Sequence, residues 1–83
     1  MYQVELTKTA YKHFQKIEFR YQKLIAQAID ELSIHPDLGL NLKGKLKGYL
    51  KLRVAHYRII YQRIDSRLII YIIDIGHRKD IYR

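Results

Sequence analysis

The sequence predicts an α+β fold with the element order β-α-α-β-β-β, two N-terminal helices packed on a mostly antiparallel, curved sheet. Three observations predict it. Apolar residues recur at helical spacing between Ala10 and Ile34. From Tyr49 onward the period switches to two. The links between the later segments are so short that they must be hairpins. The chain has 83 residues, one Pro and no repeats or linkers, so a single domain over residues 1–83 is expected. A domain this small buries only about 60% of its unfolded surface, and its core is thin.

Met1–Leu6 alternates, with Tyr2, Val4 and Leu6 on one side, and reads as a short strand. Thr7 or Thr9 can cap the helix that follows, in which Ala10, Phe14 and Ile17 share a face. A second helix is predicted over 20–34, with Leu24, Ile25, Ala28, Ile29 and Leu32 on its apolar side. Pro36 ends it, because the residue before proline avoids helical geometry. Residues 36–48, with Gly39, Gly44 and Gly48, read as loop. Three strands follow over 49–54, 57–63 and 68–75, with turns centred on Ala55-His56 and Asp65-Ser66.

The alternation also predicts a register. A tight link at Ala55-His56 pairs Val54 with Tyr57, Leu52 with Ile59 and Leu50 with Tyr61, giving an apolar face for the helices. The other face then pairs Arg53 with Arg58 and Lys51 with Ile60. Two arginines directly opposite are unfavourable for stability alone. Either both splay into solvent or they converge on an anion. The same alternation puts Ile60, Ile69, Tyr71, Ile73 and Ile75 on the arginine face. That is too apolar to leave wet, unless the last strand is simply a central one buried on both sides. With the sequence ending at Arg83, a protein partner laid across this face is the expected cover.

The charge distribution favours an anion. Sixteen Lys and Arg against eight Asp and Glu leave a net charge of +8. Seven of the cations, Lys43, Lys45, Lys47, Lys51, Arg53, Arg58 and Arg63, fall between Lys43 and Ile64, where there is no acidic residue. Outside that window the chain is nearly balanced. The excess is therefore local, on one loop and the first hairpin, and it points to a polyanion.

Most other chemistry is excluded. There is no cysteine, hence no disulfide or thiolate site. The four histidines, His13, His35, His56 and His77, lack metal-ligand spacing, so neither a metal nor any other cofactor is expected. No Gly-rich phosphate loop, serine triad or carboxylate pair is present in the basic region. The longest apolar run, Leu68–Ile73, is far short of the ~18–20 residues of a membrane span. The N-terminus lacks a secretory apolar segment, so a cytoplasmic location without membrane association is expected. Lysine, arginine and tyrosine remain, and they suit RNA cleavage by the RNA's own 2′-hydroxyl. There the protein supplies no nucleophile and only orients the strand, moves protons and stabilises phosphate charge.

The segment KLRVAHYRIIY at residues 51–61, the preceding Leu46-Lys47-Gly48, and GHRKDIYR at residues 76–83 resemble the RelE/ParE toxin superfamily of prokaryotic type II toxin–antitoxin systems. The likeness covers essentially the whole chain, including the Pro after the second helix. For the RelE branch it implies a metal-independent mRNA interferase, a ribosome-dependent endoribonuclease that inhibits translation. Such enzymes cut mRNA in the ribosomal A site. Motif matching would carry the catalytic roles to Lys51, Arg58, Arg78 and Tyr82. Lys43, Lys45, Lys47, Arg53 and His77 would bind RNA around them. Tyr49 departs from the pattern, standing where some active members have a second basic residue. The resemblance also implies a cognate antitoxin protein, with promoter DNA bound only through it. The ParE branch implies a different target, DNA gyrase, and a non-catalytic basic binding module is a third reading.

Overall fold

The structure is a computed structural model that describes residues 1–77. Strand β1 (Gln3–Leu6) leads into helix α1 (Lys8–Gln15) and helix α2 (Phe19–Ile34). Strands β2 (Leu40–Asn41), β3 (Leu50–Val54), β4 (Tyr57–Ile64) and β5 (Ile69–His77) follow. The sheet order is β1-β5-β4-β3-β2, with β1 parallel to β5 and the other neighbours antiparallel. This is the expected α+β arrangement with one added edge strand. The addition is β2, which lies inside the segment expected to be loop.

Thr7, not Thr9, starts α1: its Oγ1 accepts a hydrogen bond from the Ala10 N–H at 3.0 Å. The helix stops at Lys16, so Ile17 packs into the core from the link rather than from a helical turn. The exposed end of α1 is closed by Gln22, whose Nε2 donates to the Phe14 carbonyl at 2.9 Å. Fully buried Ile25 and Leu32 of α2 pack with Ile59, Tyr61, Ile70 and Ile72 of the sheet.

The β3–β4 register is the one the alternation predicts, from Val54↔Tyr57 through Leu50↔Tyr61. The β4–β5 register is not. Ile60 pairs with Asp74 but Tyr61 pairs with Ile72, so Ile73 is an extra residue in a β-bulge. One inserted residue moves everything beyond it to the other face. Ile75 therefore lies opposite Ile59, fully buried on the helix side, and not on the arginine face where simple alternation puts it. Of the remaining apolar residues expected on that face, Ile60 is buried, and Ile69, Tyr71 and Ile73 are half-buried.

Thr7 also holds the bulge, since its hydroxyl donates to the Ile73 carbonyl at 2.8 Å. One side chain thus satisfies a helix N-terminus and a carbonyl at the irregular strand. Thr7→Ala is expected to cost about 1–2 kcal/mol. Thr7→Ser, which keeps the hydroxyl, is expected to cost less than half as much. Urea unfolding of the two variants checks this, and equal losses would mean that the methyl group, not the hydroxyl, carries the effect.

At the far end of the sheet, Asp65 accepts from the Tyr2 hydroxyl at 2.7 Å and from Arg63 Nε at 2.9 Å. The Tyr2 hydrogen bond first, and Arg63 second, hold this carboxyl below its ordinary value of 3.8. Arg63, one of the seven clustered cations by sequence, is thereby engaged at the β4–β5 turn.

Candidate functional site

The β3–β4 hairpin builds the site. Its link is only Ala55 and His56, and Ala55 takes a left-handed φ of 55° that a tight turn demands. That turn fixes Arg53 opposite Arg58 and Lys51 opposite Ile60 on the face away from the helices. Lys51, Arg53 and Arg58 line one cavity of about 290 Å³. Leu38, Leu40 and Leu52 complete its lining. Arg53 is exposed, whereas Lys51 and Arg58 are half-buried. No carboxylate contributes to the lining. The donor set suits an anion and is unsuited to a divalent cation, which needs carboxylate or imidazole ligands.

The arrangement has defined chemical capacities. Arg53 and Arg58 can each offer a permanently charged fork to phosphate oxygens. Lys51 adds a compact ammonium two residue pairs further along the hairpin, on the same face. Leu38 and Leu40, 43% and 67% exposed, add an apolar wall against which a sugar or base can rest.

The other expected site residues are placed as follows. Lys43, Lys45 and Lys47 are all exposed on the short 3₁₀ turn Gly44–Leu46 and its flanks, outside the cavity lining. His77 is exposed and pairs with Tyr57 across the strands, with ring centroids 5.8 Å apart. Tyr57 and His77 line a second cavity of about 300 Å³ on the helix side, so His77 is not gathered with Lys51 and Arg58. Arg78 and Tyr82 lie outside the described residues.

Two parts of the surface were not anticipated from sequence. The Pro and Gly residues of 36–48 make Leu38 and Leu40 read as loop, although Leu38-Gly39-Leu40-Asn41-Leu42 alternates as a short edge strand does. The second cavity contains a His13–Asp74 pair at 2.7 Å. Its members are 61 residues apart in sequence, and nothing local links them. Among the described residues, no group of three or more His, Cys, Asp or Glu could hold a metal ion. No helix among them is long and apolar enough to cross a membrane.

A family model described as the ParE toxin of type II toxin–antitoxin systems matches residues 4–82. The chain belongs to this family. The ParE-family chain is 33% identical over 85 residues to a putative RelE-like toxin protein of Escherichia coli, covering 98% of this chain and 90% of that one. It is 28% identical over 80 residues to the mRNA interferase toxin RelE of Escherichia coli K12, covering 94% and 84%. A crystal structure of the toxin–antitoxin complex RelBE2 from Mycobacterium tuberculosis superposes with a TM-score of 0.86 at 29% identity. That match covers 93% of this chain and 98% of the other. The toxin of a type II toxin–antitoxin system is thus what the fold and the family both describe.

Proposed function

We propose that this toxin is a metal-independent endoribonuclease that cuts mRNA in the ribosomal A site and so stops translation. The observation that carries the reading is the gathering of Lys51, Arg53 and Arg58 around one cavity that has an apolar wall and no carboxylate. A relative that covers most of the chain is named an mRNA interferase, which supports the same reading.

In the proposed reaction the 2′-oxygen of one nucleotide attacks the adjacent phosphorus. The 2′-proton leaves, the P–O5′ bond breaks, and the 5′-oxygen takes up a proton, leaving a 2′,3′-cyclic phosphate and a 5′-hydroxyl. Negative charge grows on the non-bridging oxygens. Arg58, with Arg53 beside it, meets that charge without reorganising. In this reading the Lys51 ammonium stabilises the ionising 2′-oxygen or exchanges its proton. Arg78 and Tyr82 complete the proposed catalytic set, on the motif match alone. Lys43, Lys45, Lys47 and His77 add attraction for the flanking RNA.

The proposed partners are the ribosome with its mRNA and a cognate antitoxin that covers the basic face, with promoter DNA bound only through the antitoxin. The proposed location is the cytoplasm. The family match through a ParE model keeps a DNA gyrase target as the second reading. Induction of the chain alone in a bacterial host separates the two. The proposal expects growth arrest with new 5′ ends inside codons of translated messages. A DNA-damage response with intact messages would support the second reading, and harmless expression would contradict both.

A further inference from the structure

The apolar wall of the basic cavity is held from beneath. Tyr61 is fully buried and lies opposite Leu50, on the helix side of the sheet. Its hydroxyl reaches the Pro36–Gly39 turn: it donates to the Pro36 carbonyl at 2.8 Å and accepts from the Gly39 N–H at 2.9 Å. Burial pushes this phenol above its ordinary value of 10.0, so it stays protonated and can serve both bonds. Pro36 and Gly39 are themselves buried. The approach is close enough to exclude any side chain. A Cβ on Gly39 would come within 2.5 Å of the Tyr61 hydroxyl and 2.7 Å of the Lys51 carbonyl.

The turn therefore rests on the strand that carries Lys51. One residue on, Leu40 pairs with Lys51 in the sheet. The residues on either side of Gly39 are Leu38 and Leu40, the exposed wall of the cavity. The Tyr61 hydroxyl therefore ties down the turn on one side of that wall, as the pairing of Leu40 with Lys51 does on the other.

We propose that Tyr61 is a positioning residue for the basic cavity, fixing the Leu38–Leu40 wall above Lys51, Arg53 and Arg58 and so the width of the slot that a nucleotide enters. The proposal rests on the RNA-cleavage reading for its substrate but not for its geometry. Phenylalanine at position 61 would fill the same core space. It would leave the Pro36 carbonyl and the Gly39 N–H without their partner, and the turn would then open to find water. Leu38 and Leu40 carry no charge and move no proton, so loosening them weakens substrate holding and removes none of the chemical groups.

The test is steady-state cleavage of programmed ribosomes by the full chain and by Tyr61→Phe. Amide spectra and hydrogen exchange are recorded on both proteins. Tyr61→Phe is expected to raise KM about tenfold with kcat within about twofold. A purely structural role would lower kcat through loss of active protein and leave KM unchanged. The Leu38→Ala/Leu40→Ala double variant, which keeps the hydroxyl, is expected to reproduce the rise in KM. In the spectra, Tyr61→Phe is expected to speed exchange of the Gly39 amide and shift the Lys51 amide. An unchanged KM in either variant while the wild type cuts RNA would overturn the proposal. If the wild type cuts no RNA, the substrate reading fails instead. The spectra then decide, and an unmoved Lys51 amide with a still-protected Gly39 amide would overturn the positioning claim.

Discussion

Arg58→Ala is expected to lower RNA cleavage by about 10²–10³-fold while the protein stays folded. Arg58 lies on the outer face of β4, opposite Arg53, and lines the cavity with Lys51. In the proposed reaction new charge grows on phosphate oxygens, and a guanidinium held in the cavity would stabilise it at little reorganisation cost. Removing such a donor typically costs this much in rate. Stability is expected to change little, because relief of the repulsion between two directly opposed cations offsets the contacts that Arg58 loses. Arg58→Lys separates charge from geometry: it keeps the cation and loses the two-pronged fork, so an intermediate loss of about tenfold is expected. Cleavage assays alongside thermal unfolding check the pair. Full activity in Arg58→Ala would remove Arg58 from the reaction. Lost activity with a matching fall in Tm would make its role structural.

Ile75→Ala is expected to destabilise the protein by about 2–5 kcal/mol, with Ile73→Ala costing clearly less. Ile75 is fully buried against Ile59, whereas Ile73 is the half-buried extra residue of the bulge. A domain of this size holds only about 5–15 kcal/mol in total. Each kcal/mol lowers Tm by roughly 4–8 °C, so the Ile75 variant is expected to melt at least about 8 °C early. The comparison also tests the register. Unbroken alternation would place the two residues on the same outer face and make their losses similar. Calorimetry on both variants decides, and similar losses, or a larger loss for Ile73→Ala, would contradict the bulge.

These two outcomes show which parts of the molecule are written locally. The β3–β4 register was legible because a two-residue link leaves few ways to pair two alternating segments. That pairing alone sets Arg53, Arg58 and Lys51 on one face. The bulge was not legible. Residues 68–73 are apolar at every position, so the pattern has no polar beat from which a slipped residue could be noticed. Strand β2 is hidden because Pro36, Gly39, Gly44 and Gly48 mark the segment as loop and outweigh the short alternation around Leu40, and the wall it carries is hidden with it. The Tyr61 contact joins residues 22 and 25 positions apart, and by sequence a tyrosine on the core face of a strand looks like any other core aromatic. Arg63 counts as part of the basic cluster by sequence, yet Asp65 two residues on engages it.

The central claim is that the Lys51–Arg53–Arg58 cavity cuts RNA on the ribosome. Its most direct test adds the purified toxin to ribosomes stalled with a defined codon in the A site, followed by mapping of RNA ends. The account predicts a cut within that codon, leaving a 2′,3′-cyclic phosphate and a 5′-hydroxyl, and no cut when Arg58→Ala replaces the wild type. Intact message with active wild-type toxin, or equal cutting by both proteins, would contradict it.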